Sequence, residues 1–208
     1  MEDHQIVREG LAALLEKQPD LKVVGQAADG RTAVRLAREL KPAVVVMDIS
    51  LPDLNGIDAT RQILEDNPAV KVIGLSVHAD RRFIKGMLQA GAYGYLLKYS
   101  ASQELIKAIR LVLSHRVYLS PEIAGVVVED YTSPAPDGSP FAVLTLRERE
   151  VLQLLAEGKS PREIADALHL GLKTVEGYRR QVMEKMGFAS FADLVKYAIR
   201  EGLTSVEP

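Results

Sequence analysis

Cysteine is absent from all 208 residues, which excludes a disulfide framework and thiolate chemistry and fits a reducing cytoplasm. No apolar run approaches the length of a membrane span, and the acidic start Met1, Glu2, Asp3 is not a signal peptide, so no membrane partner is expected. The four histidines, His4, His78, His115 and His169, lack metal-ligand spacing and read as structural or surface residues. What is present is a 47% hydrophobic chain, enough for the core of one large or two ordinary domains.

The most informative apolar run is 43–47, which stops at Asp48. It is short, rich in valine and without alternation, the pattern of a strand covered on both faces in a parallel sheet. Ligands collect at the carboxyl ends of such strands. Asp48 is therefore either the centre of a reaction site or an Asp that caps the strand. Two further apolar runs, 70–75 and 93–97, end in Ser76 and Lys98, with helix-period segments between them at βα spacing. A carboxylate, a hydroxyl and an ammonium at one sheet edge can bind a tetrahedral anion. Glu2 and Asp3 add carboxylates ahead of a helix that begins near His4, an oxygen-rich set that suits Mg²⁺. A dehalogenase-like phosphohydrolase would also use such an Asp, but it needs a second Asp two positions on, where this chain has Ser50.

These residues, in this order, resemble the receiver domain of bacterial two-component response regulators. The resemblance implies a doubly wound parallel sheet in which Asp48 accepts a phosphoryl group from the phosphohistidine of a sensor histidine kinase. It implies Mg²⁺ at Glu2, Asp3, Asp48 and the carbonyl of Ser50. Lys98 would stabilise the charge on the phosphoryl group, Ser76 would move to bond it, and Tyr95 would rotate inward to fill the vacated space. One departure stands out. The family has a strand of about six apolar residues before the acidic pair, between the strands expected here at 22–27 and 43–47, and this chain begins at Met1. Either the start is assigned too late, or the receiver folds differently and is inert, leaving a regulator that binds DNA without phosphorylation.

Residues 131–140, YTSPAPDGSP, have no period and read as a linker. The expected division is a receiver domain over 1–118, a linker over 119–140 and a second domain over 141–208. In the last part Thr145 with Glu148 opens a helix, Ser160 with Pro161 and Glu163 opens a short one to about 168, a turn follows at 169–171, and a third helix runs over about 172–186. Ser190 with Asp193 starts a fourth. A short helix, a tight turn and a longer helix carrying Lys173, Arg179, Arg180 and Lys185 is the outline of a helix-turn-helix, though a four-helix bundle with a solvated face has the same pattern. Bulk charge does not decide between them. Residues 141–208 carry ten Lys or Arg and ten Asp or Glu, a net of zero.

The stretches LTLREREVLQLLAEGKSPREIADAL and KTVEGYRRQVMEKMG resemble the LuxR-type DNA-binding domain, so the whole chain resembles a NarL/FixJ-class response regulator. That resemblance implies a DNA-binding transcription factor that is not an enzyme, with an all-α four-helix second domain. It places Glu176, Gly177 and Arg180 against base edges and Lys173, Thr174, Tyr178 and Arg179 against phosphates of double-stranded DNA. It assigns Leu194, Val195 and Ala198 to a dimer contact that allows paired half-sites to be bound once the receiver releases the recognition helix. Gly177 costs about 1 kcal/mol relative to Ala inside a helix, Tyr178 stands where the family commonly has His, and Gly171 replaces a usual Ser cap. These departures bear on which sequence is read.

Overall fold

The computed structural model describes residues 1–77, 79–132 and 143–204. His78, residues 133–140 of the expected linker, and the expected second domain's positions 141–142 and 205–208 lie outside the described residues. The chain divides into two compact units, one α/β and one helical.

The first unit runs α1 (Gln5–Glu16), α2 (Gly30–Leu40), β1 (Val44–Asp48), α3 (Gly56–Asp66), β2 (Lys71–Ser76), α4 (Arg81–Gln89), β3 (Gly94–Leu97), α5 (Ala101–Leu113), β4 (Tyr118–Leu119) and α6 (Pro121–Thr132). The strands form one parallel sheet in the order β1-β2-β3-β4. The register pairs Asp48 with Leu75 and Ser76 with Leu97, so Asp48, Ser76 and Lys98 reach one edge together. All six residues of β2 are buried, as a central parallel strand requires. Its Lys71 keeps its ammonium 3.7 Å from the centre of the Tyr93 ring. α1 and α5 cover one face, where Ile73, Leu75 and Leu96 meet Leu105, Ala108, Ile109 and Val112; α3 and α4 cover the other. Helix starts are set by side chains: Asp29 accepts from Thr32 N–H at 2.7 Å and Asp80 from Arg82 N–H at 2.8 Å.

Two expectations are corrected. Residues 22–27 are not a strand. A ladder needs a neighbour of matching length, and among the described residues only 1–2 bond to both this segment and β1. The Met1 amine donates to Val46 O at 2.9 Å, Asp48 N–H donates to Met1 O at 3.0 Å, and Glu2 N–H donates to Ala27 O at 3.0 Å. Residues 121–132, expected within the linker, form α6. Pro121 stands at its first helical position, where a missing N–H costs nothing. Ile123, Val126 and Val127 then make an apolar stripe, with Ile123 fully buried, and the helix packs on α4 and β4.

The second unit is α7 (Leu146–Ala156), α8 (Pro161–Leu168), α9 (Leu172–Met186) and α10 (Phe191–Arg200). Three of the four open with a reciprocal capping box: Thr145 with Glu148, Ser160 with Glu163, and Ser190 with Asp193. α8 ends at His169 and α9 at Gly187, both left-handed, with φ of 53° and 66°. The core is Val151, Leu152, Leu154 and Leu155 of α7 against Ile164 and Leu168 of α8, Val175 and Val182 of α9, and Leu194, Tyr197 and Ala198 of α10.

After β1 the chain returns to start α3 at Gly56, whose N–H donates to Ile49 O at 2.8 Å. A Cβ there would overlap the carbonyl oxygen of Asp48 and lie 2.8 Å from its carbon, a contact with backbone that no rotamer relieves. Gly56→Ala is expected to destabilise the protein by about 3 kcal/mol, the upper part of the overpacking range, measured by urea denaturation. An unchanged midpoint would mean that the loop shifts without cost.

Candidate functional site

Asp48 ends β1 with only 2% of its surface exposed. Lys98 follows β3, and its Nζ donates to Asp48 Oδ2 at 2.9 Å and to Glu2 Oε1 at 2.9 Å. Glu2 is buried too. Its Oε2 is buried and accepts no hydrogen bond, although it lies 2.9 Å from the same ammonium. The Ser50 N–H makes a long contact of 3.4 Å to Asp48 Oδ1. Ser76 is buried at the end of β2, and its side chain is hydrogen-bonded with the Tyr95 hydroxyl. The Tyr95 ring lies fully buried beside Gly74, so the inward position expected of the switched state is occupied in this structure.

Asp3 is turned differently. Its Oδ1 is 2.9 Å from His4 Nδ1, which also lies 3.3 Å from Glu2 Oε1. Glu2, Asp3 and His4 thus present ligand atoms within 4.8 Å of one another. Asp48 is not part of that trio and is joined to Glu2 through Lys98. His4 is exposed, in keeping with its reading as a surface residue, and single-residue spacing offers no signal that a bend at residues 3–4 will set its ring against both carboxylates.

Charge sets the electrostatics. Burial pushes the Asp48 carboxyl up from 3.8 to about 6; Lys98 pulls it down, and the charge on Glu2 adds to the rise. Burial works against the Lys98 ammonium, yet Asp48 and Glu2 hold its value above the ordinary one. Burial lowers the Met1 amine. For Asp3 burial acts upward, but the bond to His4 wins and the carboxyl is lowered. Lys98 is thus shared between two carboxylates, Glu2 and Asp48.

In the helical unit, Val175 and Val182 are the only buried residues of α9. Their seven-residue spacing leaves Lys173, Thr174, Glu176, Arg179 and Arg180 exposed. Gly177 is half-buried, and a Cβ added to it meets nothing within 4 Å. Tyr178 packs against the core from a half-buried position. The residues expected at a dimer contact lie in or against the unit's own core. Leu194 and Ala198 have 0% exposure because the i, i+3, i+4 stripe of α10 faces the unit's own core, and Val195 is packed on its border. The exposed residues of that helix include Phe191, Lys196 and Arg200.

A carboxyl with a native value near 6 and an unfolded value near 3.8 binds its proton more tightly when folded. Its contribution to stability therefore falls as pH rises from about 4 to about 6 and stays unfavourable above. That native value already includes the attraction of Lys98, so above about pH 6 the ionised carboxyl is a net cost that a neutral amide avoids. Asp48→Asn is thus expected to be more stable than the parent at pH 7.5 in chelator, with the difference shrinking toward pH 4. Denaturant melts at the two pH values measure this, and a variant less stable at pH 7.5 would refute it.

Comparison with known proteins places both units. The response regulator receiver domain family matches residues 1–110, and the luxR family of bacterial regulatory proteins matches residues 142–198. The chain is 39% identical over 203 residues to the response regulator GacA of Pseudomonas protegens, covering 98% of this chain and 95% of that one. It is 38% identical over 207 residues to the response regulator UvrY of Escherichia coli, covering 100% and 95%. A LuxR-family two-component response regulator from an Aurantimonas species aligns over 64% of this chain and 94% of its own, with a TM-score of 0.60 and 41% identity. RcsB of Salmonella enterica serovar Typhimurium, solved bound to the promoter rprA with the phosphomimetic BeF3-, aligns over 94% of each chain with a TM-score of 0.61 and 25% identity. A sheet edge built on Asp48, Ser76 and Lys98, followed by a capped helix-turn-helix, is thus carried by a chain that belongs to the response regulators of two-component systems, phosphorylation-dependent regulators of transcription with a receiver domain and a LuxR-type DNA-binding domain.

Proposed function

We propose that Asp48 is the residue phosphorylated, by a sensor histidine kinase in the cytoplasm, and that this controls DNA binding through α9. The observation that carries the reading is the Lys98 ammonium 2.9 Å from Asp48 Oδ2 at the carboxyl edge of the sheet, with Ser76 ending the next strand. With a value near 6, Asp48 is mostly ionised at neutral pH and can attack phosphorus. Lys98 already touches the attacking carboxylate and is placed to neutralise an oxygen of the incoming group.

Mg²⁺ fits the donors present: Glu2, Asp3, Asp48 and the Ser50 carbonyl are all oxygen ligands, the hard donor set that this cation takes. When bound, the metal supplies positive charge against the phosphoryl oxygens. Ser76 leaves Tyr95 to bond the new group, and Tyr95 stays inside as the packing element that senses the change. The receiver extends through α6, the linker is confined to about 133–140, and the DNA-binding domain follows from 141. On DNA, Glu176, Gly177 and Arg180 face base edges, while Lys173, Thr174, Tyr178 and Arg179 serve phosphates. The solved structure of two RcsB dimers bound to two parallel DNAs supports a homodimer on DNA, which would read paired half-sites. Because Leu194 and Ala198 are committed to the core, the contact falls on the exposed residues of α10.

Acetyl phosphate with Mg²⁺ is expected to add one phosphoryl group to the protein and none to Asp48→Asn, read by intact mass. No gain in either would indicate a receiver that is inert in this chain. Arg180→Ala is expected to weaken binding to an operator obtained by selection by about 1–3 kcal/mol and to relax preference at one base pair. Lys173→Ala should weaken all sequences alike and reduce the salt slope by about one. Equal behaviour of the two variants would remove Arg180 from base recognition.

A further inference from the structure

Two arginines stand side by side on α9, and their surroundings differ. Among the described residues neither Arg179 nor Arg180 is paired with a carboxylate. At about 100° per residue, Arg179 lies roughly 40° round the helix from the buried Val175 and Arg180 roughly 140°. Arg180 therefore points away from the unit, whereas Arg179 emerges along the border of the core-facing side. On that border it meets the first residue of α10. Its guanidinium carbon lies over the Phe191 ring, 5.9 Å from the centre, inside the range in which a ring face attracts a cation.

The ring is held by the backbone beneath it. α9 ends at Gly187 with a left-handed φ of 66°, and Phe188 N–H returns to Met183 O at 3.0 Å. The Phe188 ring packs against Tyr197 of α10, their centres 5.1 Å apart. Ser190 then opens α10: its N–H donates to Asp193 Oδ2 at 2.9 Å, and its Oγ accepts from Asp193 N–H at 3.2 Å. The nearby Asp193 carboxylate is thereby committed to the cap. Phe191, between these anchors, is 43% exposed, so a large apolar ring stands in solvent at a place where it adds little to the core.

The chemistry of the pair explains the placement. A carboxylate at Phe191 would fix Arg179 equally well, but it would cancel the charge and have to be displaced by DNA. A ring face attracts the guanidinium through its quadrupole and carries no charge to lose. It also leaves the N–H donors of the guanidinium available for the paired hydrogen bonds that phosphate accepts. A long side chain restrained in this way loses less rotamer freedom on docking.

We propose that Phe191 is a positioning residue for DNA binding: its ring holds the Arg179 guanidinium at the border of α9, with its donors left for a DNA phosphate. The proposal rests on the reading of Arg179 as a phosphate contact. It gives the start of α10 a part in DNA affinity without contact to DNA, and it leaves Arg180 unrestrained at the base edges.

The test is binding of the 208-residue protein, treated with acetyl phosphate and Mg²⁺, to the selected operator, followed by fluorescence anisotropy over a salt series. Phe191→Leu keeps an apolar side chain and removes the ring. It is expected to weaken binding about two- to fivefold with the salt slope unchanged, because no charge is lost. Phe191→Tyr, which keeps a ring, should bind as the parent does. Arg179→Ala should weaken all sequences alike and lower the slope by about one, and adding Phe191→Leu to it should cost nothing further. Binding by Phe191→Leu as tight as the parent's, or tighter, would overturn the proposal. So would a loss that persists in the Arg179→Ala background, which would place Phe191 in the fold or in a dimer contact. Unchanged affinity and slope in Arg179→Ala alone would overturn the phosphate reading itself, and the positioning role with it.

Discussion

Asp48 and Glu2 sit together in a low-dielectric edge of the sheet, and an ammonium between them is what makes that placement affordable. Without Lys98 two buried carboxylates would face each other unscreened. The position of Lys98 is in turn a consequence of register, since β3 must end level with β2 and β2 level with β1. A slip of one residue would turn the ends of the strands to the opposite faces and separate the three groups. Gly56, with its missing side chain, lets the chain double back over the Asp48 carbonyl and closes the same edge from outside.

How much of this was legible in the sequence depended on the range of the interactions. The strands at 44–48, 71–76 and 94–97 announce themselves by buried apolar runs, and the four helices of the second unit by capping residues and period. The residues at the strand ends follow directly, which is why Asp48, Ser76 and Lys98 come together. What the sequence does not show is anything decided by an absent or distant neighbour. Residues 22–27 have the composition of a strand but need a partner on which to form a ladder. His4 depends on a local turn. Residues 121–132 hide a helix, because Pro121 and Gly125 within it and the Pro-rich stretch 133–140 after it make the whole region look like a linker.

The helical unit illustrates a separate lesson about which apolar residues are available. α9 buries only two residues and sends its basic side chains outward, whereas α10 turns Leu194, Tyr197 and Ala198 into the core. Both helices carry an apolar pattern, but the density of the stripe separates them. A seven-residue repeat of single valines anchors a helix while leaving most of its surface for a ligand; an i, i+3, i+4 cluster spends that surface on folding. What α10 leaves exposed is the opposite side, which includes Phe191, Lys196 and Arg200.

Stability and chemistry are tied at residues 1–2. Met1 O accepts from Asp48 N–H, and Glu2 N–H donates to Ala27 O, so the backbone on which Glu2 and Asp48 stand is held by single hydrogen bonds between residues 1–2, β1 and Ala27. Fraying of those bonds would move both carboxylates relative to Lys98, and carboxylates that move hold neither a divalent cation nor an attacking geometry well. The order at Asp48 therefore depends on backbone pairing outside the site as much as on the side chains within it.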